Sequence, residues 1–153
     1  MHKIFIDSDV ILDVFAKRQP FYEHSARILT LCEQKKVLGY TTPLVFANIH
    51  YILGKLKSKD YALQSLRKLR IIVDVLPMDS ANIDQALNSN FSDFEDALQY
   101  YSSRSRQIDF IITRNKKDYT AGSEITVCTP EEYLAILDTN GENGVSREDD
   151  ISE

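Results

Sequence analysis

Long apolar runs are missing from this 153-residue chain, whose consecutive hydrophobic stretches span only a few positions. None approaches the roughly 20 residues needed to cross a bilayer, and the N-terminus has no basic segment followed by a long apolar core. The expectation is a soluble, cytoplasmic protein with no membrane partner. Cysteine is scarce as well: Cys32 and Cys128 have no metal-site spacing and read as small buried apolar residues, one on a helix and one on a strand. His2, His24 and His50 put no pair on one helical face, which argues against a histidine metal site. No internal repeat is visible. The length suits one domain with a substantial core better than two.

Net positive charge is also lacking, yet its distribution changes what that excludes. The chain carries −5, and the segment Asp138 to Glu153, with six acids and one arginine, carries −5 by itself. The remaining body is neutral. If several of its acids are gathered in one site, the rest of its surface is slightly basic, which is compatible with a phosphate-bearing substrate.

What is present begins at the N-terminus. Lys3-Ile4-Phe5-Ile6 runs directly into Asp7-Ser8-Asp9-Val10, an apolar β-favouring segment ending in acid. A strand with no alternating polar partner suits the centre of a parallel sheet, where ligands sit beyond the carboxyl ends of the strands. Helical spacing follows in Val10, Ile11, Val14 and Phe15, with Ser8 or Asp9 as a suitable N-cap. Gln19-Pro20 breaks the chain before a second helix, and Val37 to Thr41 reads as a strand that closes a βαβ crossover. Thr42-Pro43 opens a helix to about Leu56. A basic helix follows with Lys59, Arg67, Lys68 and Arg70; such a face is either solvated surface or a nucleic-acid contact.

The pattern then predicts a strand over Ile71–Leu76, a helix capped by Asp79 or Ser80, and a helix opening at Asp93-Phe94-Glu95-Asp96. Ile108–Thr113 and Glu124–Cys128 read as strands, and Thr129-Pro130-Glu131-Glu132 carries the spacing of a capping box. That helix is expected to end near Leu137. Residues 138–153 hold too few apolar groups to offset ordering, so the expected division is a folded domain over 1–137 and an acidic disordered tail over 138–153. Alternating strands and helices give an α/β fold, a three-layer α/β/α sandwich around a mainly parallel central sheet.

Three separated segments point polar groups toward one sheet edge: Asp7 after the first strand, Asp93 and Asp96 at a helix start, and Asn115 with Asp118 after the Ile108–Thr113 strand. Like charges converge unfavourably unless a cation joins them. Oxygen donors without histidine or cysteine favour a hard ion, Mg2+ or Mn2+, which can position a phosphodiester and acidify water. Metal-assisted hydrolysis of nucleic acid is the chemistry that follows. The bland alternative is that Asp7, Asp9, Asp93 and Asp96 merely cap helices and favour their first turns.

FIDSDVILDV, DFEDALQY and FIITRNKKDY together resemble the signatures of the PIN-domain ribonucleases, the group that contains the VapC-type toxins, over residues 1 to about 137. The resemblance implies a PIN-like fold and a divalent-metal-dependent endoribonuclease, the toxin of a toxin-antitoxin pair. RNA would be its substrate and a cognate antitoxin its protein partner. Asp7, Asp96 and Asp118 would be catalytic, with Asp93 and Asn115 joining them as metal ligands and Ser8, Asp9, Asn48 and Thr113 supporting the site. Dimers are the commonest symmetric state, so a homodimer is expected. The sequence departs from the pattern twice. Asn48 stands where the family usually has a glutamate, and Asn115 where many members have aspartate. These departures keep a second reading open, a weakened PIN-like binding or regulatory module. Asp7-Ser8-Asp9-Val10 also matches the opening motif of haloacid-dehalogenase-like phosphatases, although the later acidic pair precedes Thr113 and Lys116 instead of following them.

Overall fold

The computed structural model describes the backbone of residues 1–152 and the side chains of residues 1–141. Strand β1 (Lys3–Ile6) is the middle of a five-stranded sheet ordered β3-β2-β1-β4-β5, where β2 is Leu38–Thr41, β3 Asp74–Val75, β4 Phe110–Ile112 and β5 Thr126–Cys128. All four pairings are parallel. Successive strand residues face opposite sides of a sheet, and Ile4, Phe5 and Ile6 are all fully buried, so helices cover both faces. Each of these side chains contributes roughly 1.5–3 kcal/mol of burial. The fold is the expected three-layer α/β sandwich.

The helices are α1 (Ser8–Phe15), α2 (Tyr22–Glu33), α3 (Pro43–Leu56), α4 (Lys59–Ile72), α5 (Ser80–Leu87), α6 (Phe94–Ser105) and α7 (Pro130–Ser152). Short polar residues start most of them. Thr42 Oγ1 accepts from Val45 N, Ser58 Oγ from Tyr61 N, Asp93 from Asp96 N, and Asp79 forms a reciprocal box with Asn82. Thr129 and Glu132 exchange the same pair of bonds at the start of α7. Cys32 packs on the glycine of β2: a Cβ at Gly39 would stand 2.6 Å from its Sγ, and burial pushes the thiol up to about 12. Both cysteines are free and buried. Among the described residues no helix is long and apolar enough to cross a membrane.

One strand is shorter than its sequence suggests. The spacing predicts Ile71–Leu76 as extended, but α4 continues through Ile72 and only Asp74 and Val75 pair, with Tyr40 and Thr41. Ala62, Ser65 and Leu69 carry one buried helical face up to that point, and helix propagation overrides the β preference of Ile71, which is 87% exposed. At the other end α7 runs on past Leu137, where the apolar pattern stops. The tail expected to be disordered falls mostly on side chains outside those described.

Candidate active site

The carboxyl ends of β1 and β4 and the starts of α1, α3 and α6 form an open cleft lined by Asp7, Ser8, Asp9, Asn48, Glu95, Asp96, Asn115 and Asp118, with Leu12, Arg18 and Arg114 at its side. Asp7 enters because its backbone closes the β1–β4 ladder, its N–H donating to Ile112 O at 3.0 Å, while its side chain turns into the helix start and accepts from Ser8 N at 2.7 Å. Its second oxygen accepts from Tyr119 Oη at 3.0 Å. Tyr119, on the 3-10 turn Lys116–Tyr119, is itself fixed from behind. Gln99 Nε2 donates to its oxygen at 3.2 Å, and Thr42 Oγ1 donates to Gln99 Oε1 at 3.2 Å. Thr42, Gln99 and Tyr119 are all buried, so the chain of donors runs in one direction and ends on the Asp7 carboxylate.

Asp9 does a different job. Its carboxylate accepts from Val10 N, Arg114 N, Thr113 Oγ1 and Asn115 Nδ2 at 2.8 to 3.3 Å, tying α1 to the loop beyond β4. Asn115 is thus at the cleft through its hold on Asp9. Asp93 does not line the cleft; its carboxylate caps α6, the plainer of the two roles the sequence allows. Thr113 is buried behind Asp9. None of the basic residues of α4 reaches the cleft wall.

The electrostatics are one-sided. Burial, opposed by donors from Ser8 and Tyr119, raises the Asp7 carboxyl above its usual range. Burial and the charge of Asp7 push Asp9 to about 6. Burial and then the charges of Asp7, Asp93, Asp118 and Glu95 push Asp96 to about 7. Two arginines stand at the side of the cleft, Arg18 donating to Asp9 O at 3.3 Å, but the shortest contacts of both are to Asp13. Arg114 makes a two-pronged bond to Asp13 at 2.8 and 3.0 Å, and Arg18 forms an ion pair with the same carboxylate at 3.2 Å. Ser8 Oγ is buried without a hydrogen-bond partner among the described residues.

This donor set suits a hard divalent cation: carboxylate and amide oxygens with excess negative charge, beside two guanidinium groups whose shortest contacts are to Asp13. Among the described residues no group of three or more histidine, cysteine, aspartate or glutamate side chains stands close enough to hold a metal ion by itself. An ion held there would take the rest of its ligands from water and a phosphate.

Sequence reasoning passed over Glu95, Tyr119, Gln99 and Thr42. Adjacent helical residues do not share a face, so Asp96 drew attention away from Glu95, although in a first turn both reach the cleft. The other three are buried partners whose contacts span up to 112 positions, and nothing local marks them.

A PIN domain model matches residues 3–117. Ribonuclease VapC1 of Aquifex aeolicus (strain VF5) is 27% identical over 142 residues, covering 90% of this chain and 96% of that protein. Among solved structures, VapBC2 from Rickettsia felis bound to a DNA fragment of its promoter superposes with a TM-score of 0.67 at 12% identity, over 83% of this chain and 98% of the other. Mycobacterium tuberculosis VapC20, a toxin that cleaves the sarcin-ricin loop, gives 0.63 at 17% identity over 78% and 95%. At such identities the superpositions speak for the fold. The matched segment holds the whole cleft lining except Asp118, and on that match the chain belongs to the PIN-domain family.

Proposed function

We propose that this protein is a divalent-cation-dependent endoribonuclease, the toxin of a toxin-antitoxin pair, acting in the cytoplasm on RNA phosphodiesters. The observation that carries the reading is the convergence of Asp7 and Asp96 in a cleft whose two arginines are both engaged by Asp13. A bare cleft of this charge repels RNA. It accepts a phosphate only when a cation lies between them.

Asp7 and Asp96 are the principal holders of that ion, with Asn115 and Asp118 at the rim, and Mg2+ or Mn2+ matches the oxygen donors. When bound, such an ion polarises a phosphate oxygen and lowers the proton affinity of water. The chain's own residues prepare the place. Tyr119 fixes the Asp7 carboxylate, Asp9 locks the loop carrying Asn115, and the buried β1 and β4 ends hold both on a rigid edge. Asp118, on the cleft wall, would orient a water beside the phosphate. The curated relative is named a ribonuclease, and the solved neighbours include toxins with their antitoxins, so a cognate antitoxin is the protein partner this reading assigns.

The phosphatase reading would need Asp9 free as an acid, whereas four donors hold its carboxylate. The test compares wild type with Asp7→Asn on single-stranded and structured RNA in Mn2+, Mg2+ or chelator. Cleavage by wild type alone, and only with metal, is expected. Cleavage that survives the chelator, or equal cleavage by both proteins, would remove the cation and Asp7 from the reaction.

A further inference from the structure

Beside the acidic cleft lies a second cavity of about 300 Å³, walled by Phe21 and His24 at the start of α2, by Thr129, Pro130 and Glu131 at the start of α7, and by Arg114. Arg114 is the one residue that lines both spaces. Its guanidinium gives Nε and Nη2 to Asp13 at 2.8 and 3.0 Å and lies over the Phe21 ring, 3.8 Å from the centroid. A fork committed in this way has little left for a phosphate, and the Glu131 carboxylate repels one, so the cavity does not suit an anion. A single carboxylate does not suit a divalent cation either. The walls offer an aromatic ring that is 39% exposed, a proline, an imidazole, and the Thr129 hydroxyl, which accepts from Glu132 N and keeps its own proton to donate. An apolar, partly aromatic wall with a few polar groups fits a heteroaromatic ring, which stacks on Phe or Arg and makes hydrogen bonds at its edge.

We propose that this cavity receives the base of a nucleotide flanking the phosphate held in the cleft, with the Phe21 ring and the Arg114 guanidinium as its stacking platform. This rests on the ribonuclease reading above and deepens it by naming the form of the substrate, an unpaired stretch of RNA, because only an unstacked base can enter a side cavity. A strand whose phosphate lies at the acids and which leaves the cleft on this side passes Arg114, and its next base meets the cavity. Phe21 then acts on affinity and register and not on the reacting atoms; it is a positioning residue.

The experiment follows cleavage of a labelled single-stranded RNA in Mn2+ by the full chain as wild type, Phe21→Leu and Phe21→Tyr. Binding of the same RNA is read by fluorescence anisotropy in an Asp7→Asn background, which is expected to leave it intact. Leucine fills much of the space of the ring without a π face, and tyrosine restores the face. Phe21→Leu should raise KM and the dissociation constant by about fivefold or more while kcat changes by less than about twofold, and Phe21→Tyr should return both to near wild type. RNAs with one abasic position moved along the strand should show one place where the missing base costs wild type about the same factor and costs Phe21→Leu nothing further. A merely structural role for Phe21 would not give that coupling. If Phe21→Leu matches wild type in KM and affinity, or loses the same factor at every abasic position, the cavity takes no base and the proposal falls alone. If Phe21→Leu fails to fold, the abasic series on wild type decides, and the absence of any single sensitive position overturns the proposal. If wild type cleaves nothing in Mn2+ but RNA still binds, the ribonuclease reading falls and anisotropy decides on the cavity. If RNA is neither cleaved nor bound, both fall.

Discussion

Asp7 and Asp13 stand six residues apart near the two ends of α1, the first half-buried and the second fully buried, and their surroundings are opposite. Asp13 is 0% exposed and fully answered: Arg114 grips both its oxygens, Arg18 stands 3.2 Å away and Ser25 Oγ donates at 3.2 Å. Arg114 in turn lies over the Phe21 ring, 3.8 Å from its centroid. Asp7 is met by neutral donors, the Tyr119 hydroxyl and the Ser8 N–H first among them, by no ion pair among the described residues, and by further acids around it. Partial or full removal of a carboxylate from water is common to both places and does not explain the contrast. Lack of a basic partner separates them, and it makes the Asp7 end of α1 the place that suits a cation.

The comparison breaks most forcefully at Asp13. Asp13→Ala leaves Arg114 and Arg18 facing a buried void without a counter-charge, and should cost about 3–5 kcal/mol in chemical denaturation. A loss under 1 kcal/mol would mean that the cluster is held by packing of Arg114 on Phe21 instead. Asp7→Asn should do the reverse. Cleavage should fall by at least roughly 100-fold, since even supporting residues of metal sites cost 10- to 100-fold, while the melting temperature in chelator holds or rises because one crowded charge has gone. A clear destabilisation would make Asp7 a structural acid like Asp13.

Acidity sharpens the contrast next. Asp9 and Asp96 titrate in the folded protein at about 6 and about 7, well above the ordinary 3.8 of an aspartate. Between pH 4 and 7 the folded protein thus binds more protons than the unfolded chain, so its stability is highest below this window and falls as pH rises through it. In chelator the melting temperature should drop from pH 5 to pH 8, and saturating Mn2+ at pH 8 should restore it. A melting temperature that rises toward pH 8 in chelator would contradict uncompensated acids in the cleft. Asp96→Asn should flatten the slope.

The smallest effect is expected at Tyr119. Its hydroxyl favours the charged form of Asp7, so Tyr119→Phe should raise the Asp7 carboxyl further and move the acidic limb of the cleavage profile to higher pH. The stability cost should be about 1 kcal/mol, the worth of one hydrogen bond with the Gln99 donor left behind. An unshifted profile would show that Tyr119 packs beside Asp7 without holding its charge.

Much of this arrangement was legible in the chain itself. Ile4-Phe5-Ile6 suited a strand covered on both sides, and alternating helix and strand signals with Thr42, Asp79 and Thr129 at helix starts implied the parallel sandwich. From there, parallel-sheet geometry placed Asp7, Asp96 and Asp118 at one edge, because every strand ends on the same side. Local pattern misled at Ile71–Ile72, where β-branched residues continue a helix whose buried face was already set by Leu69.

The sequence by itself determined which elements form, which edge gathers the acids and which kind of ion suits them, because hydrophobic period and side-chain chemistry are local properties. It did not determine how each acid is answered. Asp13 finds its cation 101 positions away in Arg114, Asp7 its donor 112 away in Tyr119, and Glu95 its tether 47 away in Asn48. Only packing could decide those pairings, since a hydrogen bond needs its atoms within about 3 Å and in line, a condition set by the whole fold.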